Sequence, residues 1–185
     1  MAEFKRAMKK LLDSQQVQHA LDRLYKAVVQ QLPKEGTVAV VGIRTRGEIL
    51  ARRIVDRLRS ERPGLHLETG VLDITFYRDD LSQRRGAPLV RATEIDFDLD
   101  DTWLLLVDDV LQTGRSVRAA LDALHDFGRP KIIRLAVLID RGGRQLPISA
   151  DFAGRVVNAP AGSRVQVKLK ENDGEEGVFI IKTEG

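Results

Sequence analysis

The chain has 185 residues, 43% of them hydrophobic, a length and composition that suit one domain with a substantial core. It has no cysteine, which excludes disulfides and thiolate chemistry, and no apolar run near the ~20 residues that span a bilayer. Its start lacks the apolar stretch of a secretory signal, which predicts a cytoplasmic protein, and its formal charge of +3 allows an anionic partner without requiring one.

Apolar periodicity predicts one helix followed by an alternation of buried strands and helices. The first helix begins at Asp13 or Ser14 and ends before Pro33. Strands are predicted at residues 37–43, 65–74, 103–110 and 131–140, with later helices from 48 to about 59 and from 114 to 127. This alternation indicates the α/β class, an open parallel twisted sheet flanked by helices. Ligands of such sheets bind at the carboxyl ends of the strands, near a switch point.

Two segments depart from the alternation. Residues 75–101 are rich in charge, which predicts a long flexible excursion, a hood loop, with short strand content near 90–98. Residues 164–184 contain two alternating stretches around the turn NDGEEG, which predicts a C-terminal antiparallel hairpin appended to the main sheet. We expect residues 1–185 to form a single domain that includes both segments.

The stretch LLLVDDVLQTGRS, residues 104–116, carries the most specific chemistry. Because unpaired charge is costly to bury, Asp108 and Asp109 must mark the carboxyl end of their strand. By itself, such a pair is also typical of a loop cap, of pairing with nearby arginines or of a metal site. The Thr-Gly turn that follows opens a helix, whose free N–H groups can hold phosphate. Because sugar hydroxyls donate to carboxylates, the whole stretch can hold a sugar phosphate.

This stretch resembles the motif that binds phosphoribosyl pyrophosphate (PRPP) in phosphoribosyltransferases with an open α/β sheet. The stretches VGIRTRG, LDITFYRDDL and LAVLIDRGGRQLPISADFAGR extend the resemblance over essentially the whole chain. They are similar to the family of pyrimidine-operon attenuation proteins that double as uracil phosphoribosyltransferases. The resemblance implies that uracil attacks the anomeric carbon of PRPP and yields UMP and pyrophosphate, with Mg²⁺ held mainly by the substrate. It assigns no certain metal ligand to the protein.

The resemblance also implies roles for individual residues. The catalytic set is Asp108 and Asp109, on the ribose hydroxyls, with Arg78 from the hood. The nucleotide and its 5′-phosphate contact the acid pair and Val110, Leu111, Gln112, Thr113, Gly114, Arg115 and Ser116. Pyrophosphate lies on Arg44, Thr45, Arg46, Gly47 and Arg78, and the base lies beside Asp140 and Arg141.

Some members of the family bind pyrimidine-operon leader mRNA when a uridine nucleotide is present. Candidate RNA-binding residues here are Arg23, Lys26, Arg144 and Arg155. Asp22, Gly143 and Ser149 depart from the pattern of the RNA-binding members, so we expect an intact transferase and an eroded RNA site. The implied partners are PRPP, uracil, UMP or UTP, leader mRNA and further copies of the chain in a homodimer or larger homo-oligomer. Two alternatives stay open, an RNA-binding attenuator with little catalysis and a transferase for another base.

Overall fold

The computed structural model describes residues 8–75 and 92–182. In chain order its elements are β1 (Met8–Leu12), α1 (Ser14–Gln31), β2 (Val38–Ile43), α2 (Arg46–Glu61), β3 (Leu67–Leu72), β4 (Trp103–Leu111), α3 (Arg115–Leu124), β5 (Ile132–Asp140), β6 (Phe152–Val156), β7 (Ser163–Lys168), α4 (Lys170–Asp173) and β8 (Gly177–Lys182). Five strands form a parallel sheet in the order β3-β2-β4-β5-β6, and three form an antiparallel sheet in the order β1-β8-β7. Within the described ranges, no helix is long and apolar enough to cross a bilayer.

Helix α1 begins where the sequence predicts. Asp13 accepts a hydrogen bond from the Gln16 N–H at 2.8 Å, and the Gln16 side chain accepts one from the Asp13 N–H at 3.0 Å. This reciprocal capping box satisfies two donors that would otherwise be unpaired at the helix start. The apolar face predicted for the helix is buried and includes Val17, Leu21, Leu24 and Val28.

Helices cover both faces of the parallel sheet because its strands point apolar side chains in both directions. Val40, Leu105 and Val107 face a core that also contains residues of α1 and α2. Val41 and Leu106 face a second core, formed with α3 and with the segment that precedes β4. The predicted open parallel α/β sheet is confirmed, and α2 begins at Arg46, two residues before its predicted start.

The switch point of the sheet lies between β2 and β4. Strand β3 lies on one side of β2, and β4 lies on the other. Helix α2, which follows β2, packs in the first core, while α3, which follows β4, packs in the second. The loops that leave β2 and β4 therefore diverge at the same edge, where open α/β sheets bind their ligands.

The predicted C-terminal antiparallel hairpin is confirmed, but it is not appended to the main sheet as expected. Strands β7 and β8 pair with each other, and β1 pairs with β8, so that Met8 lies opposite Ile181. The apolar face of this small sheet, with Val165, Val167 and Val178, packs into the core of α1 and α2. The small sheet therefore shares a core with the helices, and none of its described strands pairs with the parallel sheet. The connection between β7 and β8 is longer than the predicted turn and contains α4.

Part of the charged excursion belongs to the packed structure. Glu94 forms an antiparallel bridge with Val71, in agreement with the short strand content expected there. Ile95 and Leu99 are buried in the second core, so this portion is not a solvated loop. The rest of the predicted hood, residues 76–91, lies outside the described residues.

Candidate active site

The acid pair lies within β4, in the last four residues of the strand. Strand β2 pairs with β4 only as far as Gly42 and Val107, whereas β5 continues alongside as far as Leu111. Asp108 and Asp109 therefore extend past β2 at the switch point. The expectation that the strand ends at these acids is corrected: the acids reach the ligand edge because the neighbouring strand stops before them.

The acid pair is organised by its own backbone. The Asp109 N–H donates to Asp108 Oδ1 at 2.8 Å, and the Val110 N–H donates to Asp109 Oδ1 at 2.9 Å. Burial raises the pKa of Asp109, while the hydrogen bond with Asp108 and the positive charge of Arg46 oppose that rise. Since the cause is desolvation, further hydrogen-bond donors favour the charged form. Hydroxyl groups of a sugar are donors of the required kind.

The loop of residues 44–47 follows β2 and leads into α2 at the same edge. Its Arg44–Thr45 peptide bond is cis. A Cβ atom on Gly47 would lie 2.4 Å from the Val107 carbonyl oxygen and 3.1 Å from the Asp108 Cα. Gly47 therefore allows the first turn of α2 to sit directly on β4, beside the acid pair. This close packing is a structural reason for glycine at a position that the sequence assigned to pyrophosphate.

Both arginines of this loop face carboxylates that the sequence did not connect with the site. Arg44 Nη2 lies 2.5 Å from Glu94 Oε1, on the segment that precedes β4. Arg46 donates through Nε and Nη2 to the two carboxylate oxygens of Asp173, at 3.1 and 2.6 Å. Glu94 and Asp173 carry no distinguishing motif among the 27 acidic residues, so sequence reasoning had no signal to select them.

The predicted phosphate loop joins β4 to α3. Gly114 is the N-cap of α3 and has φ +91°, a left-handed conformation that favours glycine. The Thr113 carbonyl accepts hydrogen bonds from the N–H groups of Gln145 and Leu146 at 3.0 and 3.1 Å. The segment after β5 therefore fixes the loop from outside, while the side chain of Leu111 is buried in the second core.

Arg144 braces this loop from the same segment. Its Nη1 donates to the Gln112 carbonyl at 3.0 Å, and its Nε donates to the Ile148 carbonyl at 2.8 Å. Its Nη2 forms an ion pair with Asp140 at 2.5 Å. The guanidinium that the sequence assigned to RNA thus faces the protein and connects three backbone segments around the phosphate loop.

The two residues predicted beside the base also bond to protein groups. Asp140 accepts the Gly142 N–H at 3.0 Å in addition to its ion pair with Arg144. Arg141 is 8% exposed, and its Nη1 donates to the Ser163 carbonyl on β7 at 2.7 Å. The Arg141 N–H donates to the Leu111 carbonyl, which ties this loop to the end of β4. Both side chains are therefore engaged by groups of the protein itself.

A family model for the phosphoribosyl transferase domain matches residues 7–169. The chain is 50% identical over 176 residues to the bifunctional protein PyrR of Roseiflexus sp. (strain RS-1), covering 95% of this chain and 96% of that protein. It is 49% identical over 175 residues to the bifunctional protein PyrR of Thermus thermophilus, with 95% and 96% covered. The chain belongs to the PyrR family of phosphoribosyltransferases. The family identified from the sequence motifs is confirmed.

Solved structures show that the fold extends beyond the PyrR family. The hypoxanthine-guanine phosphoribosyltransferase of Bacillus anthracis superposes with a TM-score of 0.67 at 13% identity, covering 94% of this chain and 97% of that one. The hypoxanthine phosphoribosyltransferase of Trypanosoma cruzi, in complex with the product IMP, gives 0.64 at 14% identity, with 98% and 94% covered. At such identities the likeness concerns the fold alone.

The remaining residues assigned from the PyrR resemblance lie in different places. Arg78 lies outside the described residues. Arg115 Nε donates to the Gln145 side chain at 3.0 Å, on the outer side of the phosphate loop. Arg23 and Lys26 are exposed on α1, while Arg155 is exposed on β6. Since Gly154 approaches α1 and strand side chains alternate, Arg155 points to the other face of the sheet. One protomer therefore does not gather the four candidate RNA-binding residues into a single patch.

Proposed function

We propose that this chain transfers the phosphoribosyl group of PRPP to uracil, producing UMP and pyrophosphate. The observation that carries the proposal is the meeting of three elements at one switch point in a member of the PyrR family. These elements are the acid pair of Asp108 and Asp109, the phosphate loop of residues 112–114 and the arginine loop of residues 44–47. Each offers the chemistry that one part of PRPP requires.

The three elements divide PRPP between them. The carboxylates of Asp108 and Asp109 accept hydrogen bonds from the ribose hydroxyls, and the start of α3 receives the 5′-phosphate. Arg46 supplies positive charge for the pyrophosphate, beside Asp109. As the bond from C1′ to the pyrophosphate oxygen breaks, the bond from uracil N1 to C1′ forms and the N1 proton is released. Negative charge then grows on pyrophosphate, where a fixed guanidinium stabilises it most.

The acid pair also fits a Mg²⁺ ion that arrives with its phosphate ligand. Among the described residues, no group of three or more acidic or histidine side chains is arranged to hold a metal. Mg²⁺ characteristically binds one or two carboxylates together with waters and substrate phosphates. Asp108 and Asp109 lie at the ligand edge and would supply such carboxylates. When bound, the ion neutralises charge on the pyrophosphate.

The first test is Mg²⁺-dependent formation of UMP from uracil and PRPP. We expect the natural chain to form UMP and Asp109→Asn to lose at least about a hundredfold in kcat/KM, because a neutral amide replaces the negative charge beside the reacting sugar. Asp122→Asn is the matched control, since Asp122 pairs with Arg118 on the surface of α3. Equal activity of the Asp109 variant and the control would refute the ribose assignment. PRPP binding without UMP formation would refute uracil as the substrate and lead to assays with other bases.

A second function, nucleotide-dependent binding of pyrimidine leader mRNA, is supported by the surface of α1. Arg23 and Lys26 are exposed and three residues apart, so they lie side by side on one helical face. Asp22, beside them, forms an ion pair with Arg57 at 2.8 Å, which offsets its negative charge. Formation of a homodimer would enlarge the proposed RNA-binding surface.

Salt dependence tests the RNA function. We expect a leader RNA stem-loop to bind in the presence of UMP or UTP, with log K falling linearly against log salt. The double variant Arg23→Ala with Lys26→Ala should reduce that slope by about two, one for each phosphate contact. The assignment to α1 would be contradicted if the affinity for the RNA changed neither with the nucleotide nor with the double substitution.

A further inference from the structure

Arg46 interacts with two carboxylates, one on a strand of the parallel sheet and one on α4, the short helix between β7 and β8. Its charge acts on Asp109 of β4, and its Nε and Nη2 are held by Asp173 at the end of α4. The side chains of Arg46 and Asp173 are only 25% and 14% exposed, so solvent screens this ion pair weakly. Within the described residues, no hydrogen bond or ion pair engages Arg46 Nη1.

Asp173 is fixed in place without help from Arg46. Its Oδ2 accepts the Leu169 N–H at 2.9 Å, and its own N–H donates to the Leu169 carbonyl at 2.8 Å. The segment is also attached to α2 at a second point, because Arg53 pairs with Glu171 at 2.7 Å and with Glu176 at 2.7 Å. The carboxylate of Asp173 is therefore a rigid support, delivered by the small sheet to the ligand edge of the large one.

We propose that Asp173 is a positioning residue for the pyrophosphate half of PRPP, holding the Arg46 guanidinium by one edge so that the opposite edge faces the ligand. The inference rests on the proposed transferase function. A guanidinium has five N–H donors in a fixed plane, and the bidentate contact uses two of them. Nη1 keeps both of its donors for an anion.

The contact with Asp173 should help Arg46 to bind an anion. An arginine side chain has many rotamers, and one that is fixed before the ligand arrives loses less entropy when it binds. Without Asp173, the same guanidinium would be free to turn toward Asp109, a carboxylate on which its charge already acts. An Arg46–Asp109 pair would occupy the carboxylate proposed for the ribose. Asp173 thus keeps the arginine and the ribose acid apart.

Steady-state kinetics of UMP formation test the inference. Asp173→Asn removes the charge but keeps an oxygen for the Leu169 N–H, and Asp173→Ser is a second variant should asparagine disturb the turn. We expect KM for PRPP to rise about tenfold, with KM for uracil unchanged and kcat altered less than threefold. The matched control is Glu175→Gln, which removes an equal charge from the same turn, where Glu175 pairs with Lys168. The control should keep the kinetic constants of the natural chain.

A double-mutant cycle separates positioning from simple loss of structure. In an Arg46→Ala background, Asp173→Asn should have no further effect on KM for PRPP, because the group that it positions is absent. An undiminished effect there would overturn the inference, as would an unchanged or lower KM in the single variant. If the natural chain forms no UMP, the proposed function fails first, and calorimetric Kd values for PRPP then take the place of KM. Equal Kd values, or no binding by the natural chain, would overturn the inference as well.

Discussion

Replacing Gly47 by alanine probes the contact that holds α2 against the acid pair. The added Cβ would lie 2.4 Å from the Val107 carbonyl oxygen, about 1 Å short of an ordinary van der Waals contact. Both neighbours are backbone atoms of β4, so no side chain can move aside, and the start of α2 must shift instead. Overpacking of this kind costs about 1–3 kcal/mol. A shift of ~1 Å near the reacting groups lowers catalytic rates by roughly a hundredfold.

Two measurements together check this prediction. A loss of about 2 kcal/mol in a chain of this size lowers Tm by about 4–8 °C in thermal unfolding. In UMP formation, kcat/KM for PRPP should fall by about a hundredfold, because the arginine loop moves with the helix. Gly64→Ala is the matched control, since Gly64 has no atom within 4 Å of the added Cβ. That variant should change neither quantity.

The reasoning would be refuted by a Gly47→Ala protein whose Tm and kinetic constants equal those of the Gly64→Ala control. Such a result would mean that α2 leaves enough room for a Cβ beside β4. A lower Tm with unchanged kinetics would be equally informative. It would show that the contact stabilises the fold without locating the arginine loop.

Three further predictions follow from individual side chains. Arg144→Ala should lower the free energy of unfolding by about 2–3 kcal/mol and raise KM for PRPP, because Asp140 and two loop carbonyls lose their partner; urea unfolding and UMP kinetics measure both. Burial raises the pKa of Asp109, so the folded chain binds more protons than the unfolded one above about pH 4, and stability falls as pH rises. Asp109→Asn should therefore have a higher Tm than the natural chain at pH 7, in EDTA, with the difference vanishing near pH 4. Burial and the hydrogen bond to Glu61 raise the pKa of Tyr25 to about 12, which an alkaline absorbance titration detects as a step that Tyr25→Phe removes.

Each of these predictions has a contrary outcome. If the Arg144→Ala variant is as stable as the natural chain, the loop carbonyls have found other donors. Arg144→Lys lacks the planar guanidinium and should restore little of the lost free energy of unfolding. A Tm difference for Asp109→Asn that is the same at pH 4 and pH 7 would exclude desolvation as its cause. A Tyr25 step near pH 10 would show that the phenol is solvated.

Helix α1 and four of the five strands of the parallel sheet could be predicted because nearby residues determine them. The partners of the capping box, Asp13 and Gln16, are three positions apart, while β2 and the first five residues of β4 are unbroken apolar runs. Strands β1 and β6 were missed. Their sequences, MKKLL and FAGRV, are short and contain charges or glycine, and they form strands only because a neighbour pairs with them. Edge strands of this kind are determined by tertiary context.

The site divides in the same way. Asp108, Asp109 and the Thr-Gly turn are adjacent in sequence, so a local motif locates them. Asp173 and Arg46 are 127 positions apart, and an acidic residue carries no mark of its distant partner. Arg144 shows a related difficulty. The sequence does not tell whether an arginine side chain faces solvent or, as here, a loop carbonyl.

The pairing of β1 with β8 has a consequence for the order in which the chain folds. It joins segments about 170 residues apart, a far longer separation than any other strand pair in the described structure closes. Pairing distant strands closes a long loop of chain, which costs entropy before any contact is gained. Such pairings therefore form late. During synthesis, the parallel sheet can assemble as soon as β6 has left the ribosome. The small sheet can form only after β8 has emerged, and the segment that carries Asp173 takes its place at the same time. The nascent protein would therefore have the proposed ribose acids and phosphate loop in place before Asp173 supports Arg46, and that support would come only once β8 has paired.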